Sequence, residues 1–214
     1  VDGLSASYTP GQDLNGQEVI EYRVTDGSLS SSSAYITINI SPVNDAPVLA
    51  DIESQNTNED EPITINISAS DVDGDDLSYS STLGSFDGSN LTITPAADWN
   101  GDEDVTVTVL DGNGGETSGT FTLVVNAVND PPIFTSIETQ VIDEDTSLSL
   151  DISVSDVDHS NDELILNVSV DDNADILLSG NALTVTPFAN YNGSITVSVV
   201  ASDGQSYNTE SFTL

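Results

Sequence analysis

The stretch VTVTVLDG at residues 105–112 alternates apolar and polar side chains and then ends in an Asp-Gly pair. Successive side chains of a β-strand point to opposite faces, so the alternation predicts a strand with one buried and one solvated face. Asp and Gly favour turns, because Asp bonds the neighbouring backbone and Gly accepts a positive φ. The stretch therefore predicts a half-buried strand that ends in a tight turn.

The same alternation recurs at residues 63–68 and 148–154, and no long stretch has the 3.6-residue period of a helix. With 36% hydrophobic and 6% aromatic residues, the composition suits several small cores better than one large core. Within residues 44–128 the patterns predict seven strands, at roughly 48–57, 62–68, 76–81, 84–87, 90–94, 104–110 and 117–126. We therefore expect an all-β chain of immunoglobulin-like sandwiches.

The Asp-Gly pairs mark an internal repeat. Asp26-Gly27 precedes Asp111-Gly112 by 85 residues (111 − 26), and Asp203-Gly204 follows it by 92 residues (203 − 111). Motifs with matching offsets are Asn44 to Pro47 with Asn129 to Pro132, Glu59-Asp60 with Glu144-Asp145, Asp71-Val72-Asp73 with Asp156-Val157-Asp158, and the Asn-Gly pairs at 15, 100 and 192. A fixed period indicates tandem domains. The third copy has seven additional residues (92 − 85), which we expect in surface loops.

Alignment of the copies predicts three segments. Residues 1–43 correspond to the second half of a repeat, residues 44–128 form a complete repeat, and residues 129–214 form a repeat that lacks the end of its last strand. A half repeat would leave an open sheet edge and an incomplete core. We therefore expect a longer parent chain, with completion by a neighbouring molecule as the alternative.

The charge balance excludes several classes of function. The chain has 37 acidic residues and one basic residue, Arg23, which give a formal net charge of −36. Binding to nucleic acid is not expected, because phosphate backbones are neutralised by Lys and Arg. No apolar run reaches the ~20 residues that a membrane-spanning helix needs, so membrane insertion is not expected either. No nucleophile and base can be paired around the single histidine, His159, which we expect to face solvent in a loop, and the sequence therefore predicts no enzyme activity.

Many acidic residues cluster in the repeated motifs. Asp71, Asp73, Asp75 and Asp76 lie within six positions, and no lysine is available to compensate them. Carboxylate and carbonyl oxygens in a flexible loop suit a hard cation, and Ca²⁺ better than Mg²⁺. An acidic surface is also a way to remain hydrated at high salt, although that alternative does not explain positions repeated at a fixed spacing.

These motifs together resemble the cadherin-like tandem repeats of very large bacterial surface and secreted proteins. The resemblance rests on the Val-Asn-Asp-Ala-Pro linker at 43–47 with its variant at 128–132, the Glu-Asp pair, the Asp-x-Asp, the Asn-Gly turn and the Asp-Gly turn, in the same order in successive copies. It covers nearly the whole chain. It implies cadherin-like sandwiches of about seven strands, arranged end to end, with calcium at the junctions between repeats.

The resemblance also implies which residues bind calcium. At the first junction these are Asn44, Asp45, Asp71, Asp73 and Asp111, and at the second Asn129, Asp130, Asp156, Asp158 and Asp203. Glu59 and Asp102 would reach the second junction from the base of the repeat before it, and Asp26 would belong to a junction upstream. The acidic triplet of animal cadherins is here Asn15-Gly16-Gln17 and Asn100-Gly101-Asp102, so it has lost acidic members.

Three functions remain open from the sequence. The first is a spacer or adhesion region of a secreted or cell-surface protein, in which calcium stiffens the linkers between repeats. The second is a module that binds polysaccharide or a like repeat, for which Trp99 would have to be exposed instead of anchoring the core. The third is an accessory region of a secreted hydrolase. Each of the three places the chain outside the cell.

Overall fold

The computed structural model describes residues 5–214, and every regular element in that range is a β-strand. The chain divides into two compact units, one that ends at Asn126 and one that runs from Ala127 to Leu214. The predicted all-β fold of tandem immunoglobulin-like sandwiches is confirmed.

Within residues 5–214, no helix has the length and apolar character needed to cross a membrane.

The first unit contains a hairpin followed by a sandwich. The hairpin pairs β1 (Gly16–Tyr22) with β2 (Ala34–Ile40) in antiparallel register. The strands of the sandwich are β3 (Val48–Leu49), β4 (Gln55–Asn58), β5 (Ile63–Asn66), β6 (Ala69–Ser70), β7 (Ser78–Ser81), β8 (Ser85–Asp87), β9 (Asn90–Ile93), β10 (Gly101–Leu110) and β11 (Glu116–Asn126).

The sandwich has two layers. One sheet has the strand order β4-β11-β10-β7, and the other layer consists of β5-β9-β8 together with the short pair β3-β6. Apolar side chains from both layers meet in one cluster that includes Ile65 and Leu91 from one layer and Val107 and Leu123 from the other. The strand pattern at 105–109 behaves as predicted, because Val105, Val107 and Val109 are fully buried while the threonines between them are partly exposed.

The prediction of a single strand over 48–57 is wrong. The chain changes layer within this segment: β3 pairs antiparallel with β6, whereas β4 pairs parallel with β11. The crossing, at residues 50–54, exposes Asp51 and Glu53 and packs Ile52 against the core. Both layers end in strands with unpaired backbone groups, and a segment that switches layers supplies hydrogen bonds to both.

The second unit has the same architecture. Its strands are β12 (Ile133–Phe134), β13 (Leu148–Asp151), β14 (Val154–Ser155), β15 (Ile165–Val170), β16 (Ala174–Ser179), β17 (Ala182–Pro187), β18 (Thr196–Ser202) and β19 (Tyr207–Thr213). One sheet has the order β15-β18-β19, and the other layer consists of β13-β17-β16 and the pair β12-β14. A separate apolar cluster around Leu183, Val185, Val197 and Phe212 forms its core.

The additional residues of the third copy lie mostly in strands, so their expected placement in surface loops is wrong. Strands β15 and β16 have six residues each, whereas the matching β7 and β8 have four and three. The β16–β17 hairpin keeps the two-residue turn of β8–β9 and extends at its open end, where Ala174 and Asp175 pair with Pro187 and Thr186. The insertion is therefore accommodated by longer antiparallel strands.

Candidate metal centre

One end of the first sandwich gathers three segments of the chain. The Asp71 loop follows β6, the Asp111 loop follows β10, and the linker residues Asn44 and Asp45 lie just before β3. The Asn44 side-chain amide donates a hydrogen bond to Asp111 Oδ2 at 2.7 Å, and the Asp45 backbone N–H donates to Asp73 Oδ2 at 2.8 Å. The structure thus brings together all five residues predicted for the first junction.

The Asp111 carboxylate organises its own turn. Its residue is only 3% exposed, and its Oδ1 accepts hydrogen bonds from the backbone N–H groups of Asn113 at 2.8 Å and Gly115 at 2.9 Å. The side-chain amide of Asn44 and these N–H groups lower the pKa of Asp111, because they favour the charged form. Position 115 requires glycine, since an added Cβ would lie 2.1 Å from Asp111 Oδ2. The loop therefore holds an ionised carboxylate in a fixed position.

Three carboxylates converge at this end. One oxygen each from Asp71, Asp75 and Asp111 lies within 4.8 Å of the others. Asp71 Oδ2 and Asp75 Oδ2 are buried, and no hydrogen-bond donor among residues 5–214 reaches either atom. Arg23, the one basic residue, pairs instead with Glu21 at 2.9 Å in the hairpin. Burying a carboxylate oxygen without a hydrogen bond costs folding free energy, which a bound cation would offset. The three carboxylates offer the oxygen ligands that a hard cation prefers.

Asp75 belongs to this centre, although the resemblance does not name it as a junction ligand and only the acidic cluster at residues 71–76 includes it. The resemblance selected Asp71 and Asp73 from the loop, but Asp73 accepts the Asp45 N–H while Asp75 supplies the third converging oxygen. Its proximity in sequence to Asp71 and Asp73 was the available signal. Proximity alone does not show which acidic side chains of a loop turn inward.

Asp13 is a second residue that sequence reasoning missed. A cleft of about 250 Å³ between the hairpin and the linker is lined by residues that include Asp13, Asn15, Asp45 and Asp73. Desolvation, followed by the charges of Asp13, Asp73 and Asp71, raises the pKa of Asp45. The available signal in the sequence is the matching position of Asp13, Asp98 and Asn190 in the three copies. In the structure all three residues have a positive φ.

The second unit reproduces the linker–loop contacts within itself. Asn129 donates its side-chain amide to Asp203 Oδ2 at 2.8 Å, and the Asp130 N–H donates to Asp158 Oδ2 at 2.8 Å. The Asp158 N–H donates to Asp156 Oδ1 at 2.9 Å, as the Asp73 N–H does to Asp71 Oδ1 at 2.8 Å. All five residues predicted for the second junction are thus joined by one hydrogen-bond network.

Asp203 is held as Asp111 is. Its Oδ1 accepts the backbone N–H groups of Gln205 and Ser206, both at 2.6 Å. The hydrogen bond from Asn129, followed by that from Ser206, lowers the pKa of Asp203. In the hairpin, the related Asp26 accepts the N–H groups of Ser28 and Leu29. The same Asp-Gly turn, in which the aspartate Oδ1 accepts two backbone N–H groups, therefore occurs three times in the chain.

His159 is a point of difference between the units. It lies in a loop, as expected, but its side chain is only 23% exposed, and its Nδ1 lies 3.3 Å from Asp156 Oδ1. One ligand atom each from Asp156, His159 and Asp203 lies within 4.8 Å of the others. An imidazole thus joins two carboxylates in the second unit.

Glu59 and Asp102, the residues predicted at the base of the complete repeat, differ in burial. Glu59 is 2% exposed and accepts the Asn100 side-chain amide at 3.4 Å. Asp102 is exposed in β10 opposite Val124 and belongs to no cluster of metal-ligand atoms within residues 5–214. Asp60 and Asp98, which were not predicted, each have a positive φ and carboxylate oxygens within 4.8 Å of one another.

Comparisons with known proteins agree with the architecture. The chain is similar to the crystal structure of human CDH23 EC21-23, with 16% identity, a TM-score of 0.50, and coverage of 95% of this chain and 75% of that chain. For the extracellular cadherin domains 1–4 of protocadherin Gamma B7 the identity is 19%, the TM-score 0.48, and the coverage 93% and 56%. At 16% identity the likeness to CDH23 EC21-23 shows the fold alone.

A third solved structure is an enzyme. The endo-fucoidan hydrolase MfFcnA4, of glycoside hydrolase family 107, matches with 16% identity, a TM-score of 0.37 and coverage of 96% of this chain. The present chain spans only 34% of that hydrolase chain. No curated protein matches the chain significantly.

Family membership follows from the sequence comparison. The profile of the family described as Bacterial Ig domain, Big_9, matches residues 44–124 and again residues 129–214, which together make up more than half of the chain. The two matched segments fall in different compact units, and each contains one of the linker–loop networks described above. The chain therefore belongs to the bacterial Ig domain family, of which it carries two consecutive copies.

Proposed function

We propose that the chain is a calcium-stiffened spacer within an extracellular or cell-surface protein of the adhesion type. The observation that carries the proposal is the pairing of each linker with two acidic loops of the following sandwich. In the first unit Asn44 binds Asp111 and Asp45 binds Asp73; in the second Asn129 binds Asp203 and Asp130 binds Asp158.

Calcium is the cation that suits the first centre. Its buried oxygens come from Asp71, Asp75 and Asp111, and the linker and hairpin add the nearby carboxylates of Asp45 and Asp13. All of these are hard oxygen ligands on loops, which can supply the six to eight oxygens that calcium takes. Calcium bound there would remove the repulsion among the carboxylates and hold the linker against the loops.

The spacer function requires nothing beyond this stiffening. A linker of few residues that is bound through its side chains and backbone to a folded loop has fewer conformations than a free one. The role of a sugar-binding platform is not supported for Trp99, because its side chain packs against the core of the first sandwich. We therefore favour the spacer over the polysaccharide-binding module.

Calorimetric titration of the whole chain with calcium tests the proposal. Asp75→Asn preserves shape and removes one buried charge, so the calcium affinity of the first unit should fall at least tenfold. Asp87→Asn is the matched control, since it makes the same charge change at an exposed position of β8. Indistinguishable calcium isotherms for the two variants would contradict the proposed centre.

A further inference from the structure

The acidic loops of the two units differ in the residues that converge. The first unit has Asp71, Asp73, Gly74 and Asp75, and the second has Asp156, Asp158, His159 and Ser160 at the matching places. The third converging ligand is therefore a carboxylate, Asp75, in the first unit and an imidazole, His159, in the second. In both loops the backbone N–H two residues further on donates to Oδ1 of the first aspartate.

The buried surroundings of Asp156 form the floor of this cluster. The Asp156 side chain is 0% exposed, and its Oδ1 accepts the backbone N–H groups of Asp158 and His159, both at 2.9 Å. Its Oδ2 is buried, and no donor among residues 5–214 reaches it. A fully buried carboxylate with one free oxygen, facing an imidazole, is a cation ligand already held in place.

The charges around the imidazole also favour a cation. Asp156 and Asp203 face it within the cluster, and Glu163 is held nearby by hydrogen bonds from the Ser160 N–H at 2.9 Å and the Ser160 hydroxyl at 2.8 Å. Since Arg23 is the one basic residue of the chain and lies in the first unit, no lysine or arginine of the second unit competes for these carboxylates.

Imidazole nitrogen changes the metal preference of the loop. Calcium takes oxygen ligands, whereas imidazole suits zinc, copper, nickel and iron. Two ligand atoms that each lie about 2.0–2.1 Å from a tetrahedral zinc ion are roughly 3.3 Å apart. His159 Nδ1 lies 3.3 Å from Asp156 Oδ1, so the imidazole is already beside this carboxylate. Because Oδ1 accepts two backbone N–H groups, the free Oδ2 of the same carboxylate is the oxygen available to an ion.

We propose that the second unit carries a site for a divalent transition metal of the zinc class, formed by Asp156, His159 and Asp203. This inference rests on the proposed function for one point, that a cation binds at this loop. The class of metal is inferred separately, from the imidazole of His159. The site makes the two repeats chemically distinct: the first unit selects a hard cation by oxygen ligands, and the second admits a softer one through nitrogen.

The test uses the whole chain and zinc chloride as the probe. His159 is the only histidine, so its imidazole signals in an NMR spectrum report on this site without overlap. Zinc should shift the imidazole nitrogen signals by direct coordination at a stoichiometry near one, and calcium at the same concentration should shift them much less. Asp156→Asn and Asp203→Asn should each weaken zinc binding at least tenfold, whereas Asp162→Asn, an exposed acidic residue in the same segment, should not.

The outcomes separate this inference from the proposed function. If zinc leaves the imidazole signals of the unmodified chain unchanged while calcium still binds the first unit, the zinc site is wrong and the calcium centre stands. Equal zinc affinities for Asp156→Asn, Asp203→Asn and Asp162→Asn would also overturn it, as they would show a lone surface histidine. Zinc coordination without any calcium binding would support the site and contradict the proposed function.

Discussion

Asn44 and Asp111 are 67 residues apart in the chain, yet the Asn44 side-chain amide donates to Asp111 Oδ2 at 2.7 Å. The same amide also donates to the Asp45 carbonyl at 3.2 Å, so a single side chain joins the linker backbone to the Asp-Gly turn. Asn129 repeats both contacts in the second unit, with Asp203 and Asp130. The asparagine of each linker is therefore the residue that ties it to the sandwich that follows.

Asn44→Ala should lower the unfolding temperature of the first unit, because it removes the donor from a carboxylate that is 3% exposed. Differential scanning calorimetry measures this change. Asn66→Ala is the control, since Asn66 makes comparable side-chain hydrogen bonds to Ser89 and Asn90 at an exposed position. Equal shifts for the two variants would show that the contact with Asp111 has no special role.

Gly115→Ala should destabilise the first unit and weaken its calcium binding. The new Cβ would lie 2.1 Å from Asp111 Oδ2 and 2.8 Å from Ala46 Cα, so the turn and the linker must both move. Overpacking of this kind costs roughly 1–3 kcal/mol. Gly11→Ala, where a Cβ meets no atom within 4 Å, should be neutral in denaturant unfolding and calcium titration. A neutral Gly115→Ala would mean that the loop is looser than the structure shows.

The charge of Asp45 should lower the unfolding temperature without calcium and raise it with calcium. Its folded-state pKa is raised, chiefly by desolvation, so metal-free stability falls as pH rises through that value. Asp45→Asn should therefore raise the metal-free unfolding temperature at pH 7, and the gain should vanish below the ordinary aspartate pKa of about 3.9. In saturating calcium the variant should be the less stable one. The measurement is a set of thermal melts of both proteins, with a chelator at pH 7 and below about pH 3.9, and with calcium at pH 7. If Asp45→Asn and the unmodified chain keep the same order of unfolding temperature with chelator and with calcium at pH 7, the prediction is wrong.

Calcium should stabilise the chain more than ionic strength alone. Binding only to the folded state adds about 2.7 kcal/mol at a hundredfold excess over Kd. Sodium chloride at matched ionic strength screens the carboxylates but does not occupy the buried oxygens of Asp71 and Asp75. Thermal melts in the two salts compare these effects. If sodium chloride reproduces the whole rise, the acidic residues act as a high-salt surface.

Most of the fold could be predicted from the repeat pattern of the sequence. The alternation at 105–109 and the Asp-Gly turns predicted the strands and the sandwich, because a half-buried strand alternates apolar and polar residues along the sequence. The layer switch at residues 50–54 was not predictable in this way, since local pattern does not say which sheet a strand joins. The lengthened β15 and β16 likewise follow the ordinary strand pattern once an insertion is allowed to extend strands.

The candidate site was predicted in part for a similar reason. Asn44, Asp111 and their counterparts follow from position in the motif, and the structure places them in contact. The inward turn of Asp75 and the packing of His159 on Asp156 depend on loop geometry that the motif does not encode. Asp13 and Asp98 could have been found from their shared place in the repeat, but their role depends on a positive φ that sequence does not show.

Small-angle X-ray scattering of the chain, with calcium and then with a chelator, tests most directly whether calcium stiffens the linkers. Calcium should give a larger and more sharply defined maximum dimension, and chelation a smaller or blurred one. Asp75→Asn should shift the calcium profile toward the chelated one, and Asp87→Asn should not. Identical profiles for the unmodified chain in both conditions would show that calcium does not stiffen the linkers.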